Sequence, residues 1–119
     1  MNRSILIVDD EENLLVLLDR ILTKDGFQVK TATNAYQALN LLEQEEFNVA
    51  ILDIKMFPID GIALLAELRR RSPSTQVIMI TAYPTPDSHS QCIKNGAARF
   101  LTKPLDLTEL KSVAHNLAT

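Results

Sequence analysis

The sequence predicts an α/β fold in which a doubly wound, five-stranded parallel sheet is covered by five helices. Short apolar segments, such as Ser4–Val8, Val49–Leu52 and Gln76–Ile80, are typical of strands buried on both faces. Segments whose apolar residues recur at helical spacing lie between them. The alternation occurs within 119 residues, a length that fits one compact domain, so a two-domain enzyme is excluded.

The first two strands flank an amphipathic helix. Strand one is predicted over Ser4–Val8, helix one over about Glu12–Lys24, and strand two over Phe27–Ala32. Gly26 follows the helix as a stop signal, and the alternation of apolar and polar residues in strand two predicts a half-exposed edge strand. The apolar residues of the helix recur at Leu14, Leu17, Leu18, Ile21 and Leu22.

The middle of the chain repeats the pattern with clear helix caps. Asn34 is predicted to cap helix two, with Gln37 at the capping-box position. Strand three, Val49–Leu52, ends at Asp53, and Asp60 caps a third helix. The inward residues of these two helices are predicted to be Ala38, Leu41, Leu42, Leu64, Leu65 and Leu68.

The last third contains two more strands and two more helices. The third helix runs over Gly61–Arg71, strand four over Gln76–Ile80 with Thr81 after it, and helix four from about Asp87 to Asn95. Strand five is Arg99–Leu101, and the loop Lys103-Pro104 follows it. Asp106, with Glu109 three residues later, caps a last helix that runs through Leu117. The flavodoxin-like strand order 2-1-3-4-5 with right-handed connections is the expected arrangement.

The composition and net charge of the chain argue against several classes of function. The net charge is −3, without the basic surplus that binding to a nucleic-acid backbone relies on. Apolar runs of a few residues are far shorter than the about 20 residues of a membrane span. The single cysteine, Cys92, cannot form an internal disulfide, and its environment is predicted to be the buried side of helix four. A cytoplasmic protein without direct contact to nucleic acid or membrane is therefore expected.

Charged and hydroxyl side chains follow four of the five predicted strands. Asp9 and Asp10 follow strand one, Asp53 strand three, Thr81 strand four and Lys103 strand five. Ligand sites in such sheets form at the carboxyl ends of the strands, so these residues are predicted to meet in one place. Clustered carboxylates repel one another unless a cation neutralises them, and oxygen ligands suit Mg²⁺.

A magnesium site beside a carboxylate suits phosphoryl transfer. One carboxylate can attack phosphorus and form an acyl phosphate. Lys103 would then supply positive charge, and Thr81 a hydroxyl group, to the phosphoryl oxygens. Acidic residues commonly end strands and cap helices without any such role, but their combination with Thr81 and Lys103 favours the phosphoryl site.

Together these residues resemble the receiver domain of two-component response regulators, and the resemblance covers the whole chain. It implies that Asp53 is the phosphoacceptor and that Lys103 pairs with the phosphoryl group. It further implies that Asp10, Asp53 and the backbone carbonyl of Lys55 bind Mg²⁺, with Asp9 acting through metal-bound water. The motifs that carry the resemblance are Ile7-Val8-Asp9-Asp10-Glu11, Leu52-Asp53 with Met56, Asp60 and Gly61 after it, Thr81-Ala82, and Lys103-Pro104.

The same resemblance implies a conformational switch. Thr81 and Phe100 match the switch pair of the family, in which the aromatic ring turns inward when the threonine is drawn to the phosphoryl group. Phenylalanine has no hydroxyl group, so burial alone must favour the inward state. A cis peptide bond is implied before Pro104. The chain departs from the family pattern at Met56-Phe57-Pro58, where proline usually follows the methionine directly.

The function implied is that of a phosphorylation-dependent signalling switch over residues 1–119. The donor would be a phosphohistidine on a sensor histidine kinase or phosphotransfer protein. The output would pass through the surface formed by helix four, strand five and helix five, to a partner, an output domain or a homodimer. Such a domain accepts a phosphoryl group and dephosphorylates itself, but it is not a conventional turnover enzyme.

Three alternatives stay open at the level of sequence. A flavodoxin-like FMN carrier needs a phosphate loop rich in glycine and hydroxyl groups after strand one, where this chain has Asp9-Asp10-Glu11-Glu12. A magnesium-dependent hydrolase with an aspartyl-phosphate intermediate places two aspartates one residue apart after a single strand and often adds a cap domain, whereas Asp9 and Asp10 of this chain are adjacent. A degenerate receiver would dock without phosphorylation, but the complete set of site residues argues against it.

Overall fold

Strands and helices alternate through residues 3–119, the part of the chain that the computed structural model describes. The strands pair in parallel in the order β2-β1-β3-β4-β5, which confirms the predicted fold class and strand order. In chain order the elements are β1 (Arg3–Val8), α1 (Glu12–Lys24), β2 (Phe27–Ala32), α2 (Ala35–Gln44), β3 (Val49–Asp53), α3 (Gly61–Arg71), β4 (Gln76–Thr81), α4 (Pro86–Lys94), β5 (Arg99–Thr102) and α5 (Leu107–Ala118).

The helices cover both faces of the sheet and create two separate cores. Successive side chains of a strand point to opposite faces, so each central strand supplies residues to both cores. Leu6 and Val8 pack with α2, α3 and α4, whereas Ile5 and Ile7 pack with α1 and α5. This explains why the central residues of β1, β3 and β4 are apolar on both faces of the sheet. The edge strand β2 exposes Gln28 and Lys30, as its alternating sequence predicts, and it also exposes Thr31.

The buried stripe of α1 differs from the predicted one. Leu15, Leu18 and Leu22 are buried, whereas Leu17, which the prediction placed inside, is 41% exposed. Five leucines in a 13-residue helix exceed what one inward stripe can hold, so periodicity alone does not choose among them. Leu14 and Leu17 instead line an apolar groove of about 460 Å³ beside Lys103 and Pro104.

Helix caps follow the sequence signals with two differences. Asn34, Asp60 and Asp106 each accept a hydrogen bond from a backbone N–H in the first turn of their helix, as predicted. The side chain of Gln37, however, accepts a bond from the N–H of Thr33 rather than from that of Asn34. α4 begins at Pro86, one residue earlier than predicted, because Thr85 forms a capping box with Ser88.

The fold brings the carboxyl ends of all the strands to one edge of the sheet. Asp53, the last residue of β3, pairs with Ile80 of β4, and Thr81 pairs with Thr102 of β5. The backbone N–H of Lys103 then donates to the carbonyl of Thr81 over 2.8 Å. Backbone pairing alone therefore fixes the relative positions of the site residues. None of the helices in residues 3–119 has the length and apolar character of a membrane span.

Candidate functional site

Three carboxylates form an acidic cluster at the carboxyl edge of the sheet. Asp9 and Asp10 follow β1, and Asp53 ends β3. One carboxylate oxygen from each residue lies within 4.8 Å of one from the others. Asp9 and Asp53 are buried, whereas Asp10 is exposed, so the cluster opens to solvent on the side of Asp10. The structure thus brings together three acids that the sequence places at the ends of two separate strands.

Lys103 is the cation of this cluster. Its Nζ lies 2.8 Å from Asp9 Oδ2, 2.9 Å from Glu11 Oε1 and 3.6 Å from Asp53 Oδ2. Burial by itself lowers the pKa of Lys103, but the nearby carboxylates of Asp9, Glu11 and Asp53 outweigh it, so the pKa is raised above its ordinary value. Lys103 therefore stays protonated at neutral pH.

Asp9 is only partly satisfied by its protein neighbours. Its Oδ1 accepts a hydrogen bond of 2.9 Å from the backbone N–H of Glu11. Its Oδ2 is buried and accepts no hydrogen bond, although it forms an ion pair with Lys103 Nζ 2.8 Å away. A buried carboxylate oxygen in this state is costly. Because one ammonium group cannot neutralise three carboxylates, the cluster has the charge and the oxygen donors to hold a divalent cation.

The pKa of Asp53 is raised to about 6. Burial is the largest cause, and the charge of Asp9 adds to it. The charge of Lys103 and a backbone hydrogen bond from Lys55 lower the pKa in part, whereas the charge of Asp10 raises it further. Asp53 is therefore mainly ionised at pH 7, but in an environment that disfavours its charge.

This shift predicts how stability depends on pH when no divalent cation is bound. A carboxyl group whose pKa is higher in the folded than in the unfolded protein favours folding while it is protonated, and this contribution is lost as pH rises from about 4 to about 6. From pH 4.5 to 7.5, Asp53 alone should lower the free energy of unfolding by about 2 kcal/mol. Urea unfolding in the presence of EDTA, repeated across this pH range, measures the change in the free energy of unfolding. The Asp53→Asn variant lacks this carboxyl group, so its free energy of unfolding should rise by about 2 kcal/mol relative to that of the wild type between pH 4.5 and 7.5. Parallel pH profiles of the two proteins would contradict the raised pKa of Asp53.

Thr81 and Phe100 occupy different environments. Thr81 ends β4 and is fully buried, and its Oγ1 accepts a hydrogen bond of 3.1 Å from the backbone N–H of Tyr83. Phe100 is half-buried and packs against the core on the α2, α3 and α4 face. The edge of the His89 ring meets the Phe100 ring, with centroids 4.9 Å apart and planes at 76°. This ring therefore lies between β5 and an exposed residue of α4.

Gly61 contacts the backbone of Asp53 so closely that no side chain fits. A Cβ atom at residue 61 would lie 2.0 Å from the Asp53 carbonyl oxygen and 2.9 Å from Ile54 Cα. The N–H of Gly61 also donates to the carbonyl of Ile54 over 2.9 Å. The start of α3 thus fixes the backbone at the end of β3. The sequence indicates this glycine only as part of a family motif and as the first residue of a helix, and gives no sign of the close approach to Asp53.

Two proline loops border the site. The peptide bond before Pro104 is cis, as the family resemblance implies. The Phe57–Pro58 bond, in the segment that departs from the family pattern, is cis as well, and Phe57 is 84% exposed. The side chain of Lys55 points to solvent, while its backbone contacts the Asp53 carboxylate.

Comparison with known proteins supports the same interpretation. The family model described as the response regulator receiver domain matches residues 5–115. The transcriptional regulatory protein ZraR of Klebsiella oxytoca is 36% identical over 108 residues, which cover 91% of this chain and 24% of ZraR. The chain thus spans about a quarter of that relative. Sporulation initiation phosphotransferase F of Bacillus subtilis is 34% identical over 111 residues, 93% of this chain and 90% of that protein.

Solved structures of similar proteins share the whole fold. A CheY-like response regulator receiver domain protein from Methanospirillum hungatei superimposes with a TM-score of 0.93 at 30% identity, over 98% of this chain and 94% of that one. The response regulator TrrA of Thermotoga maritima, solved in complex with Mg²⁺ and beryllofluoride, gives a TM-score of 0.86 at 31% identity. That comparison covers 97% of this chain and 98% of TrrA.

Proposed function

This chain belongs to the response regulator receiver domain family, and from that premise we propose that residues 1–119 form one receiver domain with Asp53 as its phosphoacceptor. Members of the family are phosphorylation-dependent signalling switches that take phosphoryl groups from histidine kinases or phosphotransfer proteins. The observation that carries the proposal is the position of Asp53: a buried carboxylate at the end of β3, beside two further acids and a protonated lysine.

The proposed reaction moves one phosphoryl group between two nucleophiles. An oxygen of the Asp53 carboxylate attacks the phosphorus atom of a phosphohistidine on a sensor histidine kinase or phosphotransfer protein. The O–P bond forms as the N–P bond breaks, and the electron pair of that bond returns to the imidazole ring. Lys103 neutralises the phosphoryl oxygens, and the hydroxyl group of Thr81 donates to one of them. Water later cleaves the acyl phosphate, so the domain resets itself without acting as a conventional turnover enzyme.

Mg²⁺ is the proposed cofactor. We assign Asp10, Asp53 and the backbone carbonyl of Lys55 as its ligands, with Asp9 acting through metal-bound water. The oxygen-only donor set, the excess of negative charge and the unsatisfied Asp9 Oδ2 support this assignment. When bound, the ion would offset the charge of the carboxylates and of the incoming phosphoryl oxygens. The role of the Lys55 carbonyl as a ligand is inferred from the family resemblance.

Magnesium binding should stabilise the protein measurably. At an ion concentration about 100 times the dissociation constant, binding to the folded state alone adds about 2.7 kcal/mol to the free energy of unfolding, which raises Tm by about 10 °C for a domain of this size. Differential scanning calorimetry at pH 7.5 with MgCl₂ or EDTA tests this.

Two variants separate a specific site from general ionic effects. Asp10→Asn should lose most of the increase in Tm, because it removes a ligand. Asp106→Asn should keep it, because Asp106 is outside the cluster and asparagine caps a helix as well as aspartate. Equal increases in both variants would argue against a magnesium site at the acidic cluster.

Output is proposed to pass through the surface formed by α4, β5 and α5. Thr81 and Phe100 are the proposed switch pair, and α4 suits a mobile element because Cys92 is its only fully buried side chain. A partner protein, an output domain or a second copy of the chain would bind this surface.

We place the protein in the cytoplasm, without direct binding of nucleic acid by this domain. The family membership favours this switch over an FMN carrier or a hydrolase.

A further inference from the structure

We propose that Glu11 is a positioning residue that holds Lys103 away from Asp53 until a phosphoryl group competes for it. The proposal rests on the proposed function of Asp53. Lys103 Nζ lies 2.9 Å from Glu11 Oε1 and 2.8 Å from Asp9 Oδ2, but 3.6 Å from Asp53 Oδ2. The ammonium group is thus within hydrogen-bond distance of Glu11 and Asp9, and beyond it for Asp53.

The backbone of Glu11 is fixed for this contact. Glu11 is the N-cap residue of α1, yet its side chain makes no capping hydrogen bond. It extends instead to Lys103, which lies 92 residues further along the chain. The N–H of Glu11 donates to Asp9 Oδ1 over 2.9 Å, so the loop that carries the carboxylate is attached to the acidic cluster itself. Glu11 therefore acts on the cluster through Lys103 rather than by capping the helix.

The contact is weak enough to be exchanged. The Glu11 side chain is 63% exposed, whereas that of Lys103 is 12% exposed. An ion pair open to solvent contributes little free energy, because water competes for both groups. A phosphoryl group on Asp53 would bring further negative charge to a buried position beside Lys103. The ammonium group would then move toward Asp53 and its contact with Glu11 would lengthen.

Loss of the Glu11 carboxylate should therefore favour the phosphoryl-bound state. We expect Glu11→Ala to bind beryllofluoride, a phosphoryl analogue, about three- to fivefold more tightly at saturating Mg²⁺, a change typical of a partly exposed ion pair. The matched control is Glu12→Ala, which removes the same charge from the next residue, an exposed position in the first turn of α1. Isothermal titration calorimetry measures both affinities.

A spectroscopic measurement separates positioning from general electrostatics. In metal-free protein, the ¹⁵N chemical shift of the Lys103 ammonium group should change in Glu11→Ala and stay unchanged in Glu12→Ala. Affinities for beryllofluoride that match in the two variants, or are weaker in Glu11→Ala, would overturn the role of Glu11. A wild-type protein that binds no beryllofluoride would contradict the proposed function instead, so the two failures are distinguishable.

Discussion

Asp53→Asn should reduce the incorporation of phosphate from acetyl phosphate in the presence of Mg²⁺ to background. The asparagine side chain keeps the size of aspartate, but its neutral amide lacks the anionic oxygen that attacks phosphorus. The product in the wild type should be an acyl phosphate, which base hydrolyses. Labelling with ³²P followed by gel electrophoresis measures the incorporation directly.

Variants of other acids show whether the loss is specific. Asp106→Asn should be labelled as well as the wild type, because Asp106 caps α5 and is outside the acidic cluster. Asp10→Asn should be labelled slowly, and more Mg²⁺ should restore part of the rate, because the variant weakens the proposed metal site without removing the nucleophile. Undiminished labelling of Asp53→Asn would exclude Asp53 as the acceptor.

Gly61→Ala should have the largest effect on stability among single methyl additions at the glycines. The new Cβ would lie 2.0 Å from the backbone carbonyl oxygen of Asp53, and the two residues belong to regular elements, Gly61 at the start of α3 and Asp53 at the end of β3. To relieve this clash, the start of α3 or the end of β3 would have to move. We expect a loss of about 3 kcal/mol or more in the free energy of unfolding, together with weaker Mg²⁺ binding because Asp53 is displaced.

Gly26→Ala is the control for this substitution. Gly26 has a φ of 100°, which disfavours alanine, but a Cβ there meets no atom within 4 Å. Gly26→Ala should therefore lower the free energy of unfolding by about 1 kcal/mol, through backbone strain alone, and leave the Mg²⁺ affinity unchanged. Urea unfolding and calorimetric titration with Mg²⁺ give both quantities. Equal losses in the two variants would show that the close approach of Gly61 to Asp53 has no special importance.

The acidic cluster was predictable from the sequence because it depends on topology. Asp9, Asp10 and Asp53 follow strands whose apolar character is unambiguous, and parallel strands place their carboxyl ends at one edge. No knowledge of side-chain conformation was needed. The same reasoning holds for the order of the elements, since five alternations of strand and helix leave few arrangements of a right-handed parallel sheet.

Features that depend on packing at the level of atoms were not predictable in this way. The sequence pattern of α1 could not distinguish the buried Leu15 from the exposed Leu17, because both lie near the boundary of the apolar stripe. The pair of Glu11 and Lys103 joins residues far apart in sequence, and local patterns carry no signal for it. The requirement for glycine at residue 61 follows from the path of another strand, so only the folded structure reveals it.

The most direct test of the central claim identifies the residue that becomes phosphorylated. Wild-type protein treated with acetyl phosphate and Mg²⁺ can be reduced with borohydride, which converts an aspartyl phosphate to homoserine, and then digested for tandem mass spectrometry. We expect homoserine at residue 53 and at no other aspartate. Homoserine at residue 9 or 10, or phosphate retained on a histidine with residue 53 unmodified, would contradict the proposed role of Asp53.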